Sequence, residues 1–538
     1  MANIDPGDDP PRLSTDDGAD SRRWLALAVL CLSLVLITVD NTVLNVALPT
    51  LVRDLHASNS QLQWIVDSYQ LVFAGLLFSA GSMADRYGRK GMLSLGLAVF
   101  GLGTAASAVA GSANVLIVTR AFMGIGGAMI MPSTLSILGA IFPDASERTR
   151  AIAIWAAMGA VGVAVGPVLG GLLLAHFGWG SIFAVNIPLV VAALVGGHLL
   201  LPRSKDPSPG RLDPVGALLS ILTLIALVFA VIEGPDRGWS SATVLGAAGV
   251  AVMALGAFIA WESRHPDPML DLQLFRDRRF TVGALTLMLL YFGALGTYFL
   301  YTQHLQFVLG YSALQAGVYS VPFAVVVVFC SLQTPRIVER FGTGRVAGTG
   351  LLILAAGAML RATADAHTGY ALLLVSLVIT AFGVGTTIAP STASIMTALP
   401  PAKSGVGSAM NDASRQVGAA AGVAVLGSIW ASSYHHVLSG ATLRTQVPAA
   451  ALRASRTSVG AALASARPLP VGPRGDLVAA TKAAFVHGSN VANVVAAVVA
   501  VAGAMLAFRY LPAPPRTADE SDEVVDLVPL PAASSQAT

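Results

Sequence analysis

Charge is the scarcest ingredient of this chain: 11% of its 538 residues are Asp, Glu, Lys or Arg, while 55% are hydrophobic. Soluble domains carry about a quarter charged residues, so one large soluble core is excluded. Cysteine is nearly missing. Cys31 and Cys330 both fall in apolar stretches, which reads as two buried thiols rather than a disulfide. No His/Cys cluster has ligand spacing, so no metal site is expected. No G-x-x-x-x-G-K-[ST] run occurs among the 54 glycines, which argues against a phosphate loop and ATP drive. No catalytic residue, enzyme chemistry or cofactor is expected. Lysine is confined to positions 90, 205, 403 and 482. With abundant Ala, Gly and Val, that composition hints at a GC-rich bacterial genome.

What the chain does have is apolar blocks of about 20 residues, the length that crosses a bilayer as a helix. A membrane β-barrel would show shorter alternating segments instead. Fourteen spans are predicted, near 24–49, 61–84, 91–111, 113–140, 151–175, 182–201, 214–233, 242–262, 280–302, 314–334, 347–364, 370–398, 406–431 and 484–508. The acidic tail 1–23 and the tail 509–538 have little to bury and are expected to be disordered. The acidic leading region speaks against a cleavable signal peptide, and the first span is expected to act as an uncleaved insertion signal. An even span number puts both tails on one side. With the tails inside, 21 of the 32 Lys and Arg residues are cytoplasmic and nine are external, six of those in the long external loop 432–483, whose apolar patches leave a short hairpin or gate open. The positive-inside rule therefore predicts cytoplasmic termini in a bacterial plasma membrane. Arg53, Arg237 and Arg361 are left in short external links.

An internal repeat organises the spans. Asp85-Arg-Tyr-Gly88 after span 2 recurs as Glu339-Arg-Phe-Gly342 after span 10. Gly124-Ile-Gly126 with Pro132-Ser-Thr-Leu-Ser136 in span 4 recurs as Gly383-Val-Gly385 with Pro390-Ser-Thr-Ala-Ser394 in span 12. Both offsets are eight spans. The predicted fold is an all-α polytopic membrane protein. It has a six-helix bundle at 24–201, a two-helix insert with linkers at 202–279, and a second six-helix bundle at 280–508.

Several motifs carry a family resemblance. The loop Gly81–Lys90 has the G-x-L-A-D-R-x-G-R-K form, with Met83 at the Leu place. Arg120 through Gly126 lies in span 4, with Met123 where Gln is usual. Gly162-Val-Ala-Val-Gly166-Pro167-Val-Leu-Gly170-Gly171 lies in span 5, and Asp40-Asn-Thr42-Val-Leu-Asn45-Val-Ala-Leu-Pro49 in span 1. Trp64-Ile-Val-Asp67-Ser-Tyr69 opens span 2. On these runs the chain resembles the fourteen-helix drug:proton antiporter branch of the major facilitator superfamily (QacA/EmrB type). One departure is Gly178-Trp179-Gly180-Ser181, where the branch usually has Gly-Trp-Arg-Trp. The resemblance implies a gate built on Asp85, Arg86, Gly88 and Arg89, with Asp85 expected at the N-terminus of span 13 near Ser404-Gly405. It also implies that Gly162, Gly166, Pro167 and Gly170 let span 5 rock or seal the pathway. The bland readings are a topology anchor for the loop and ordinary small-residue packing for span 5.

Ionisable residues inside the spans carry the candidate mechanism. An unpaired charge there costs at least about 2.5–3.5 kcal/mol, so Asp40, Asp67 and Asp412 are expected to have a task. Desolvated carboxyls can load and release protons near neutral pH. Arg120 is the natural counter-charge. A static Asp–Arg pair holding helices together is the competing reading, and Arg415 lies three residues from Asp412. Trp64, Asp67, Tyr291 and Tyr298 are candidate substrate contacts, with bundle packing as the alternative. His176 and His304 read as interfacial. The expected function is proton-driven export of a hydrophobic or amphipathic drug or antibiotic by a monomer in the lipid bilayer, without nucleic acid. Self-resistance of an antibiotic producer is one form of it. A lipid or metabolite transporter, or a non-transporting membrane sensor, is the alternative.

Overall fold

In this computed structural model residues 17–142, 144–203, 213–266, 268–399, 404–440 and 447–511 are described. All regular elements among them are helical. The first bundle comprises α1 (Asp17–Leu55), α2 (Asn59–Tyr87), α3 (Arg89–Ala108), α4 (Ala113–Ile141), α5 (Ala145–His176), and α6 (Ser181–Ala184) continued by α7 (Asn186–Leu200). The insert is α8 (Pro214–Arg237) and α9 (Ala242–Glu262). The second bundle is α10 (Arg278–Gln303), α11 (Ala313–Val318) continued by α12 (Val321–Phe341), α13 (Thr343–Arg361), α14 (Tyr370–Thr397) and α15 (Ser404–Gly440). Two short helices, α16 (Ala449–Thr457) and α17 (Val459–Ala466), precede the last, α18 (Val471–Tyr510). Fourteen of these stretches are long and apolar enough to cross a membrane, the number read from the sequence.

Local chemistry sets the helix ends. Ser58 starts α2 with a capping box: its Oγ accepts from Gln61 N–H at 3.2 Å and Gln61 Oε1 accepts from Ser58 N–H at 2.9 Å. Ser112, Asp213, Ser241 and Asp277 cap α4, α8, α9 and α10 in the simpler way. The turn after α2 and its counterpart after α12 both rest on a glycine with positive φ, 110° at Gly88 and 82° at Gly342.

Packing repeats along with sequence. In the first bundle α1 packs on α5 and α7, α2 on α4, and α3 on α4 and α7. In the second, α10 packs on α15 and α18, α12 on α14, and α13 on α14 and α18. The pairs correspond one for one. Of the insert, α8 lies against both bundles, on α2 and α15. Ser220 Oγ donates to Gly75 O at 3.2 Å on one side, and Ser428 Oγ donates to Val231 O at 2.7 Å on the other.

Three expectations change. Helix α1 begins at Asp17, inside the tail expected to be disordered. Residues 1–16 and 512–538, the rest of the two expected tails, lie outside the described residues. The stretch 432–483 is largely helical rather than a loop: α15 runs on to Gly440, α18 starts at Val471, and α16 and α17 fill most of the gap. These pieces hold together because Tyr434 Oη donates to Ser455 O at 2.9 Å, while Gly460 of α17 packs on Val52 of α1 and on Phe307. Finally, His304 is buried rather than interfacial: it opens a π-turn, His304–Val308, and its ring lies edge-on against Phe485 of α18, 5.9 Å between centres.

Candidate functional site

The first charged site forms where α1, α4 and α7 meet. Asp40 and Arg120 are each 1% exposed and pair directly through Asp40 Oδ2 and Arg120 NH1. Two further contacts hold the pair. Asn186 Nδ2 donates to Asp40 Oδ1 at 3.2 Å, and Arg120 Nε donates to Ile65 O at 3.2 Å. The guanidinium also lies 4.5 Å from the centre of the Tyr69 ring, a cation–π distance. A buried charge pair tolerates burial only when its remaining lone pairs and protons are met, and here Asn186 and Ile65 meet them. The sequence pointed to Asp40 and Arg120; it did not point to Asn186 or Tyr69, which look like ordinary polar residues in apolar runs.

Asp67 is different. It is fully buried on α2, and neither carboxylate oxygen has a hydrogen-bond partner among the described residues. Its neighbours at four-residue spacing fix which way that face of α2 points. Gln63 packs on Gly427 of α15, and Leu71 clusters with Ala420 and Ala424 of α15 and with Val228 and Ile232 of α8. Asp67 therefore sits along the seam where the two bundles and the insert come together.

Asp412 makes the local pair its spacing suggests, with Arg415 NH1 at 3.6 Å, and it is part-exposed. Arg415 in turn lies 5.0 Å from the Tyr291 ring centre, so Tyr291 is engaged with a cation of the protein itself. Tyr298 stacks on Tyr301 at 6.0 Å and lies beside Phe323 at 5.7 Å, inside the second bundle. Trp64 reaches the insert, where its Nε1 donates to Glu233 Oε1 at 3.3 Å. Arg237 Nε donates to the other oxygen of Glu233 at 2.6 Å. Glu233 escaped the sequence reading because it sits at the polar end of an apolar run. The candidate residues thus occupy separate places rather than a single cluster.

The glycines of α5 pack mainly on α1. A Cβ at Gly162 or Gly166 would run into the hydroxyls of Thr38 or Thr42, and one at Gly170 would lie 2.9 Å from Val43 Cγ2. Thr38 and Thr42 flank Asp40 on the same helix, so this stripe bears on the helix that carries the buried acid. At the next residue Gly171 meets Leu314 of α11, and Gly317 of α11 meets the carbonyl of Pro167. The stripe therefore ends at a contact between the two bundles. Gln306 adds a second joint, donating from Nε2 to Val46 O at 2.9 Å. These joints, like Gln63–Gly427 and Gly460–Val52, lie toward the face opposite the chain termini.

At the termini face, Asp85 is paired with Arg89, accepting from Nε at 3.0 Å and NH2 at 2.9 Å. Arg89 NH1 also donates to Ser136 O at 3.4 Å. Arg86 is exposed, beside the Tyr87 ring. Lys90 Nζ donates to the carbonyls of His198 and Leu201, each at 2.8 Å, and closes the end of α7. The expected contact of Asp85 with the start of α15 falls on Ser404 and Gly405, whose side chains lie outside the described set. Cys31 and Cys330 are buried free thiols. No group of three or more potential metal ligands occurs among the described residues.

Similar proteins share this architecture. A multidrug efflux pump of Mycolicibacterium smegmatis, LfrA, is 39% identical over 484 residues, covering 90% of this chain and 95% of the relative. A tetracenomycin C resistance and export protein of Streptomyces glaucescens is 30% identical and spans 96% of each chain. The solved structure of a bacterial homologue of the human lysosomal transporter Spinster, inward-facing and unoccupied, matches with a TM-score of 0.63 over 90% of this chain and 96% of that one. At 17% identity that likeness speaks for the fold alone. The pattern of the Major Facilitator Superfamily matches residues 30–423. With its fourteen membrane helices and paired bundles, the chain belongs to the Major Facilitator Superfamily of multi-pass membrane transporters.

Proposed function

We propose that the protein exports a hydrophobic or amphipathic drug from the cell, driven by protons moving inward. Export is supported by the two relatives above, one a multidrug efflux pump and the other an antibiotic resistance and export protein. The self-resistance of an antibiotic producer is one setting in which such an exporter would serve.

The observation that carries proton coupling is Asp67. A carboxylate with no cation and no hydrogen-bond donor in an apolar seam is costly as an anion and tolerable as a neutral acid. Asp67 lies where the bundles separate when the molecule opens, so its surroundings alternate between dry and wet. That alternation is what a carrier needs to bind a proton on one side and lose it on the other. Asp40 has the complementary role. Its tie to Arg120 makes it the acid whose proton uptake would free the guanidinium, loosening α1 from α4. Each proton crossing 100 mV supplies about 2.3 kcal/mol, enough for a gradient of about fortyfold in a neutral drug.

The positive-inside rule assigns the termini face to the cytoplasm. In that orientation the joints between the bundles close the external side. Closing the inner side would then let Asp85 exchange Arg89 for the N-terminus of α15, where a carboxylate is favoured by roughly 0.3–1 kcal/mol.

The test is drug accumulation in a susceptible bacterium stripped of its own pumps. Expression of the wild type is expected to lower ethidium accumulation and raise the inhibitory concentration, and an uncoupler is expected to cancel both effects. Accumulation unchanged by expression would remove export; efflux untouched by the uncoupler would remove the proton drive.

A further inference from the structure

A second arginine is buried in the membrane region, with no acid beside it among the described residues. The charge count assigns Arg361 to an external link although the predicted span 347–364 contains it; it is the last residue of α13 and is 5% exposed. Its environment repeats that of Arg120 with one part missing. The guanidinium lies 5.1 Å from the Tyr301 ring centre, NH1 donates to Thr297 O at 3.3 Å, and Nε donates to Ser376 Oγ at 3.3 Å. Arg120 has an aromatic face, a backbone carbonyl and Asp40. Among the described residues no carboxylate oxygen lies within 4 Å of Arg361.

Beside Arg361 is a cavity of about 10 Å³, bordered also by Tyr301, His304, Ser489, Asn490 and Asn493 and by the apolar Leu300 and Leu373. That is room for one water or one monatomic ion. Three buried atoms on its wall have no partner among the described residues: His304 Nε2, on a residue 4% exposed, Ser489 Oγ, on a residue 5% exposed, and Asn493 Oδ1. His304 opens the π-turn, a local irregularity that recurs at functional sites. Lys482 Nζ donates to Val308 O at 2.7 Å at the other end of that turn, adding a further cation to the region. Asn493 Oδ1 is the one unpartnered acceptor, while its Nδ2 donates to Ser489 O at 2.8 Å.

We propose that this cavity binds a small monovalent anion, chloride in the cell, held by Arg361, His304 and Ser489. A desolvated guanidinium calls for a counter-anion, and no carboxylate among the described residues supplies it. The cavity is too small for a carboxylate-bearing drug or a lipid phosphate, which leaves a monatomic ion. Bound there, the ion ties α10, α13 and α18 together close to the far face of the second bundle. Water is the competing occupant, since it would also satisfy Asn493 Oδ1.

The test uses the purified full-length protein in gluconate buffer at constant ionic strength, titrated with sodium chloride or sodium bromide. Unfolding is followed by tryptophan fluorescence. Both halides are expected to raise the unfolding temperature saturably, since a ligand that binds only the folded state stabilises it. Arg361→Gln is expected to abolish the rise and to melt in gluconate no lower than the wild type, because it removes an uncompensated charge. Ser489→Ala is expected to keep the rise with its midpoint shifted up about tenfold, the loss of one hydrogen bond to a charged partner. A wild type indifferent to halide would make water the occupant and overturn the proposal. The same rise in Arg361→Gln would also overturn it. Should Arg361→Gln fail to fold, the Ser489→Ala midpoint decides, and an unchanged midpoint counts against the site.

Discussion

Asp40 and Arg120 gain their meaning from burial. Each is a full charge taken out of water, so removing one leaves the other stranded. Arg120→Gln is expected to destabilise the protein by about 3–5 kcal/mol. Adding Asp40→Asn to it should restore part of that loss, because the double variant strands no charge. Thermal unfolding of the two singles and the double measures the coupling. Outside the membrane helices, Asp213 provides a pH-dependent case. Burial opposes its charge, but hydrogen bonds from Gly216 N–H and Trp261 Nε1–H outweigh it and hold the carboxyl below the usual carboxylate range. The folded state thus binds this proton more weakly than the unfolded one. Its contribution is full above the ordinary carboxylate value, near about 3.9, and fades as the pH falls through the lower folded value. Asp213→Ala is expected to cost about 1 kcal/mol at neutral pH and less toward pH 3. At this scale the acids and Arg120 were legible because charge inside an apolar run stands out. Asn186 and Tyr69 were not, because their roles exist only once α7 and α2 are folded against α1 and α4. Arg361 was counted with an external link because it lies at the polar end of its span; its burial against Tyr301 and Thr297 exists only once α10 and α13 are folded together.

Among the elements, α5 and α8 do the joining. The glycine face of α5 admits Thr38 and Thr42 of α1, and its far end touches α11. Gly162→Leu is expected to push α5 off α1, lowering stability by about 1–3 kcal/mol and slowing efflux more than binding. Unfolding and efflux rates measured on the same variant check both. Helix α8 lies across the junction of α2 and α15, and its Glu233 holds Trp64. Glu233→Gln keeps the shape but removes the charge that Arg237 and Trp64 share. It is expected to change drug preference if Trp64 contacts drug, and to leave preference untouched if Trp64 only packs; inhibitory concentrations across a drug panel separate the two. The fourteen spans were legible from apolar length, and the repeat from two short echoes. The helical character of 432–483 was not: α16 and α17 have nine and eight residues, too short for an apolar run of spanning length. The extensions of α15 and α18 beyond the apolar windows are polar enough to read as loop.

For the whole molecule, alternating access predicts that the far-face joints must open once per cycle. Gln63 and Gly427 meet across the bundles, and the two native cysteines are buried. Gln63→Cys with Gly427→Cys should therefore cross-link on oxidation, stop transport, and recover on reduction; transport that persists in the fully cross-linked protein would contradict the cycle. The central claim is that two buried acids, Asp40 inside the first bundle and Asp67 at the seam, carry the protons that drive export. Its most direct measurement is drug movement in reconstituted vesicles under an imposed pH gradient, with wild type beside Asp40→Asn and Asp67→Asn. The account predicts that the gradient accelerates drug movement by the wild type, and that both variants, folded and able to bind drug, lose that acceleration. Full gradient-driven export by both variants, or a wild type indifferent to the gradient, would contradict it.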